Sequence, residues 1–232
     1  MFNVFVLSKE TIFLFILIVI IGRFLHIRGL FSLLKLNPAQ LILSGFIGAI
    51  LLGSTLLSLP IASSGIKINY LDALFISTSS VCVTGLTTIN IGQSMSLFGQ
   101  AVVLCLIQIG GVGIMSLSAV LVVLMRKKLS YKESQEFQQS YATSNVKETY
   151  QIIKLIIVFI ILIEGIGAMG VLWINFDPSI SVLKNIFYAI FLSVSSFCNA
   201  GISLYDNSLL QFQTNTPMVL IVSGLIIIGG LG

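Results

Sequence analysis

The chain has 232 residues, of which 56% are hydrophobic and 9% charged, and its net charge is +4. Soluble domains carry roughly 25% charged residues. Here the charges also leave long windows untouched, which excludes a soluble globular domain and points to a polytopic membrane protein.

Taken in chain order, the apolar runs are residues 11–22, 41–62, 101–125, 155–172 and 217–232. Crossing a bilayer as helix takes about 20 apolar residues. The first run, with its flanks over 11–30, is expected to be a retained helix rather than a cleaved signal. Arg23, His26 and Arg28 follow it with no small-residue cleavage site. Residues 23–35 carry Arg23, Arg28 and Lys35 and no acid, and residues 126–149 carry Arg126, Lys127, Lys128, Lys132 and Lys147 against Glu133, Glu136 and Glu148. The positive-inside rule places both stretches in the cytoplasm and residues 63–96 outside. Topology thus accounts for the basic bias without a nucleic-acid partner. His26 reads as an interfacial side chain, and no nucleophile and base can be assembled, so no enzyme is expected. Cys82, Cys105 and Cys198 have the spacing of neither a metal set nor a disulfide framework.

Two short segments break the pattern. Residues 70–86, "YLDALFISTSSVCVTGL", and residues 186–202, "IFYAIFLSVSSFCNAGI", align without gaps and are identical at seven positions: Ala73/Ala189, Phe75/Phe191, Ser77/Ser193, Ser79/Ser195, Ser80/Ser196, Cys82/Cys198 and Gly85/Gly201. Downstream, "IQIGGVG" (107–113) is echoed by "IIIGGLG" (226–232). Each copy reads as long apolar helix, short semi-polar helix, glycine loop, long apolar helix, and duplication of this kind builds transport paths between repeats. The short helices are expected at about 71–81 and 183–197. An 11-residue helix spans about 16 Å, half of a hydrocarbon core of about 30 Å. It can enter the membrane but not cross it, and backbone freed at that depth survives only where protein buries it or water wets it.

The loops have the chemistry for a weakly hydrated cation. Carbonyls of Cys82, Val83, Thr84 and Gly85 can converge and replace a hydration shell, with Gly85 free to take the turn's φ and the negative end of the short helix facing the same cavity. Neither loop holds a carboxylate, which disfavours Ca²⁺ and Mg²⁺. Bland readings stand beside this one. Thr84 is either a filter residue or a helix-side hydroxyl. Asn199, aligned with Val83, either braces its loop or faces the ion path, and bracing is the expectation. Gly110, Gly111 and Gly113 lack the strand and lysine of a phosphate loop. They permit close helix crossing, with local unwinding for gating as the alternative. Glu164, deep in an apolar run, either relays an ion or proton or makes a structural hydrogen bond. Asp72 is expected as an N-terminal cap or first-turn acid, and Gln108 and Cys105 as packing and hydrogen-bonding residues.

With these motifs the chain resembles the superfamily of K⁺ transporters that includes the TrkH-, KtrB- and NtpJ-type membrane subunits. The likeness runs from about Pro38 to the last residue. It rests on "LLSLPIAS", "LDALF…TSSVCVTGL", "LFGQ…LIQIGGVGIM", "FYAIFLSVSSFCNAGISL" and "IIIGGLG" in combination. The resemblance implies an all-α polytopic fold in which four covalently joined helix–pore loop–helix units, a K⁺ channel-like arrangement, surround one pore. Two of the four are expected here: 38–125 as the first unit and 151–232 as the second, cut within its last helix. Residues 1–37 are an extra helix with a basic linker, and 126–150 a cytoplasmic loop. Filter backbone would come from Cys82, Val83, Thr84 and Gly85 and from Cys198, Asn199, Ala200 and Gly201. The implied activity is K⁺ uptake across a prokaryotic plasma membrane, with Na⁺ as a coupling ion or an alternative substrate, and with no cofactor. The implied partners are lipid, a cytoplasmic nucleotide-binding regulatory subunit of the KtrA or TrkA kind on a face that includes the 126–149 loop, and a second copy when full length. Two units cannot enclose a four-sided filter. A partial chain that conducts nothing alone is therefore expected, or else a half-transporter that works only with partner chains.

Overall fold

The computed structural model describes residues 38–65, 67–126 and 146–231. The expected helix over 11–30 and residues 127–145 of the basic loop lie outside the described residues. The chain divides into two units, Met1–Ile47 and Gly48–Gly232, and everything below belongs to the second except the first turns of α1.

Helix α1, Pro38–Leu57, has 20 residues, about 30 Å of helix. It stops short of the 41–62 run read from hydropathy. Pro60 offers no amide to continue a helix and holds Leu59 in extended backbone (φ −71°, ψ 143°), so Pro60–Ala62 forms a 3-10 turn instead. Helix α2, Tyr70–Val81, is short at 12 residues. Its N-cap residue, Asn69, makes no side-chain cap, and Asp72 sits in the first turn. Of the two roles expected for Asp72, only the one acting through the helix dipole remains. After the single-turn α3, Ile91–Ser94, comes α4, Leu97–Arg126, which runs unbroken through Gly110, Gly111 and Gly113.

Helix α5, Val146–Ile174, is followed by the short α6, Val182–Phe197, whose cap Ser181 Oγ accepts from Lys184 N. In the link between them Asn185 Nδ2 donates to the Asp177 carbonyl at 2.7 Å. Ser179 donates to the Asp177 carboxylate from its hydroxyl and from its amide, which holds that carboxyl below the usual carboxylate range. Helix α7, Thr216–Leu231, ends the described chain.

Among the described residues, Leu155–Ile174 in α5 is the one stretch long and apolar enough to cross a membrane, with mean hydropathy 2.7. Leu162, Ile166, Met169 and Trp173 recur on it at helical spacing and are exposed, Trp173 by 89%. An outward apolar stripe of that kind suits lipid. On its other side α5 packs with α6 and α7 around Val171, Ala189, Leu192, Phe212, Met218 and Val222.

In lipid, bringing apolar faces together gains little, so small residues and hydrogen bonds must hold the helices. The same device appears twice. A Cβ on Gly53 of α1 would strike Ser77 Oγ and Leu106, and a Cβ on Gly167 of α5 would strike Ser193 Oγ and Leu225. At these close approaches Ser77 Oγ donates to the Ile50 carbonyl at 2.8 Å and Ser193 Oγ to the Glu164 carbonyl at 2.7 Å. Each short helix is thereby pinned to the long helix before it.

Candidate functional site

The backbones at the ends of α2 and α6 match bond for bond. The amide of Cys82 returns to Thr78 O at 2.8 Å and that of Cys198 to Val194 O at 2.9 Å. Thr84 N donates to Ser79 O and Ala200 N to Ser195 O, both at 2.8 Å. Between these bonds the chain turns left-handed at Val83 (φ 55°) and Asn199 (φ 60°), then takes positive φ again at Gly85 (85°) and Gly201 (69°). Glycine suits this region and asparagine tolerates it, but a β-branched valine there is strained. Sequence alignment alone flags neither the left-handed turn at Val83 nor its strain.

Two helix contacts set the height of these loops. A Cβ on Gly110 of α4 would collide with the Val81 carbonyl oxygen, and one on Gly229 of α7 with the Phe197 carbonyl oxygen. Helices α4 and α7, which follow the loops, therefore lie directly against the last residues of α2 and α6. These glycines serve close crossing within intact helix. The loops also adjoin each other. A Cβ on Gly85 would meet the Ala200 carbonyl oxygen and would lie 3.7 Å from Gly201 Cα. Gly85 is thus brought beside Ala200 and Gly201.

Among the described residues, none of the carbonyl oxygens of residues 82–85 and 198–201 accepts a hydrogen bond. Cys82, Thr84, Asn199 and Gly201 are exposed, and both loops present oxygens with unused lone pairs. The carboxylates lie elsewhere. Asp206, in the segment after the second loop, takes Gln93 Nε2 at 2.8 Å and Asn90 Nδ2 at 3.3 Å, tying together the segments that leave the two loops. Nearby, Gln100 Nε2 donates to the Met95 and Gly92 carbonyls at 3.0 and 3.2 Å.

The second loop has supports that the first lacks. With its amide orientation assigned from the surrounding hydrogen-bond pattern, Asn199 Nδ2 donates to the Ile226 carbonyl and Oδ1 accepts from Gly230 N, each at 3.2 Å. That geometry is a brace to α7. Ser195 Oγ donates to the Ile202 carbonyl at 2.6 Å, whereas the buried hydroxyl of its counterpart Ser79 has no partner among the described residues. Glu164 is buried and accepts from Gln108 Nε2 at 3.0 and 3.2 Å and from the Cys198 thiol at 3.9 Å. Cys198 is buried, while Cys82 and Cys105 are exposed. Gln108, read from sequence as a hydrogen-bonding residue, finds its partner on another helix. Ser77 and Ser193 were visible only as repeat identities, and nothing in the sequence shows which carbonyls they reach.

A family model described as TrkH, cation transport protein, matches residues 34–232. The chain is similar to the potassium/sodium uptake protein NtpJ of Enterococcus hirae, at 43% identity over 202 residues, covering 85% of this chain and 44% of that protein. It is similar to the Ktr system potassium uptake protein B of Vibrio alginolyticus, at 36% identity over 215 residues, covering 89% and 47%. The corresponding protein B of Bacillus subtilis is 33% identical over 198 residues, covering 85% and 44%. The chain spans about half the length of the curated relatives it matches.

Proposed function

The chain belongs to the TrkH family of cation transport proteins, and from that membership we propose that its two glycine loops form two walls of a K⁺-selective pore. Members of the family are transporters rather than enzymes, and the chain is a membrane protein. The observation that carries the proposal is the pair of matched, adjoining loops whose backbone oxygens stay unbonded among the described residues. A dehydrated monovalent cation is stabilised by a ring of such oxygens without any carboxylate.

In this reading residues 82–85 and 198–201 line the filter, 38–125 and 151–232 are two of four helix–pore loop–helix units, and the 126–150 loop faces the cytoplasm. A nucleotide-binding regulatory subunit docks on that face, and two copies of the whole protein associate in a prokaryotic plasma membrane. Ion movement follows the electrochemical gradient. Na⁺ is the second reading for the cargo, supported by the likeness to a potassium/sodium uptake protein. A half-transporter that conducts only with partner chains uses the same loops and differs only in what completes the ring.

The test is K⁺ and Na⁺ uptake in cells lacking their own K⁺ uptake systems. The protein is expressed from its full reading frame with any regulatory partner, beside Gly85→Ser. Serine at that φ is strained, and its Cβ strikes the Ala200 carbonyl. Restored K⁺ uptake, with K⁺ preference lost in the variant, upholds the filter. An expressed, inserted protein that moves Na⁺ but not K⁺ transfers the assignment to Na⁺, and one that moves neither overturns it.

A further inference from the structure

Among the described residues, Glu164 is the one buried side chain with a carboxyl group. Its place in the repeat is informative. Ser77 Oγ reaches the Ile50 carbonyl, and its counterpart Ser193 Oγ reaches the Glu164 carbonyl. Glu164 therefore stands in the second repeat where the first has Ile50. A carboxyl group placed at membrane depth is costly and has to be held by partners, and this one has partners on two other segments. Gln108 of α4 meets both of its oxygens. The Cys198 thiol, at the first residue of the second loop, meets Oε1. On its other side that thiol is sealed by Gly111, where any Cβ would collide with the sulfur.

We propose that Glu164 is a positioning residue for the second loop: through Gln108 and the Cys198 thiol it locks the start of that loop between α4 and α5. In the first repeat Ile50 offers no equivalent group, and Cys82 stays exposed. The lock needs hydrogen-bonding atoms at the place of the carboxylate and makes no use of its charge in moving an ion. This inference rests on the pore reading for its consequence, cation preference, but the lock itself is read independently of transport.

The experiment compares the protein expressed from its full reading frame with its Glu164→Leu, Glu164→Gln and Gln108→Leu variants. Membrane-permeant maleimide labelling is read cysteine by cysteine by mass spectrometry, and K⁺ and Na⁺ uptake are measured in parallel. The Cys82 rate is the same in all four proteins, and Cys198 labels slowly in the wild type. Glu164→Leu and Gln108→Leu raise the Cys198 rate about tenfold, the size expected when one buried hydrogen bond to a carboxylate no longer opposes local opening. The same two variants reduce K⁺ preference over Na⁺. Glu164→Gln keeps an acceptor and a donor at the site and stays close to wild type in both readouts.

An unchanged Cys198 rate in Glu164→Leu overturns the proposal. So does a rise at Cys82 as large as that at Cys198, which indicates general loosening, and so does a Glu164→Gln protein as impaired as Glu164→Leu, which indicates that the charge is used. If labelling shifts as stated while even the wild type prefers neither cation, the lock stands and only the pore reading falls.

Discussion

Behind the first loop stand Ile50, a buried Ser79 hydroxyl without a partner among the described residues, and a valine held at φ 55°. Behind the second stand Glu164, a Ser195 hydroxyl bonded to the Ile202 carbonyl, and an asparagine at φ 60° that reaches α7. Their backbone bonds are otherwise the same to within a few tenths of an ångström. The two main-chain paths agree while the side chains that support them differ. The second loop is over-determined by side-chain bonds. The first relies on its own backbone turn, on Gly85 against the Ala200 carbonyl and on Gly110 against Val81.

Substitution of the crossing glycines should have the largest effect and should treat the halves alike. Gly110→Val and Gly229→Val each drive a side chain into a backbone carbonyl, Val81 or Phe197, and backbone cannot swing aside as a flexible side chain can. Overpacking costs about 1–3 kcal/mol even where side chains can adjust. Both variants should therefore fail to give a monodisperse peak on size-exclusion chromatography in detergent. Tolerance of one and loss of the other would break the claim of a common backbone.

A smaller and unequal effect is expected from exchanging the left-handed residues. Asn199→Val removes two hydrogen bonds and places a β-branched residue at positive φ, for a loss of about 2–3 kcal/mol. Val83→Asn relieves strain at the same backbone angle and should stabilise by about 1 kcal/mol. Thermal unfolding of the detergent-purified protein reads both. A lower melting temperature for Val83→Asn would show that the valine side chain is needed for packing.

Removing the hydroxyls sharpens the comparison further. Ser195→Ala leaves the Ile202 carbonyl unpaired and should lower stability by about 1 kcal/mol. Ser79→Ala removes a buried hydroxyl that bonds nothing among the described residues and should leave the melting temperature unchanged or slightly raised. Equal losses at the two positions would mean that Ser79 has a partner when the protein sits in its membrane.

Much of the local architecture was legible before any fold was seen. The short helices expected at about 71–81 and 183–197 appear as Tyr70–Val81 and Val182–Phe197, because semi-polar runs between glycine loops and caps leave little choice of boundary. The 41–62 apolar run overshoots α1, which ends at Leu57. Hydropathy continues through "SLPIA", but Pro60 ends the helix, and a window average does not register one missing amide. Gly85 and Gly201 could be singled out because a repeated glycine after a helix signals a special φ. Val83 at φ 55° could not, because valine is the residue least expected there.

What the residue order determined by itself is what local physics can read: the apolar runs, the basic flanks, the repeat and the glycines that mark its turns. Apart from the repeat, which comes from comparing residues 70–86 with 186–202, each depends on residues close together in the chain. The pairing of Gln108 with Glu164 across 56 residues, the sealing of Cys198 by Gly111 and the abutment of Gly85 on Ala200 were decided only by tertiary structure. Those contacts come from separate helices brought together by packing. A buried carboxyl group in an apolar run announces that it needs a partner, but only the fold could choose which one.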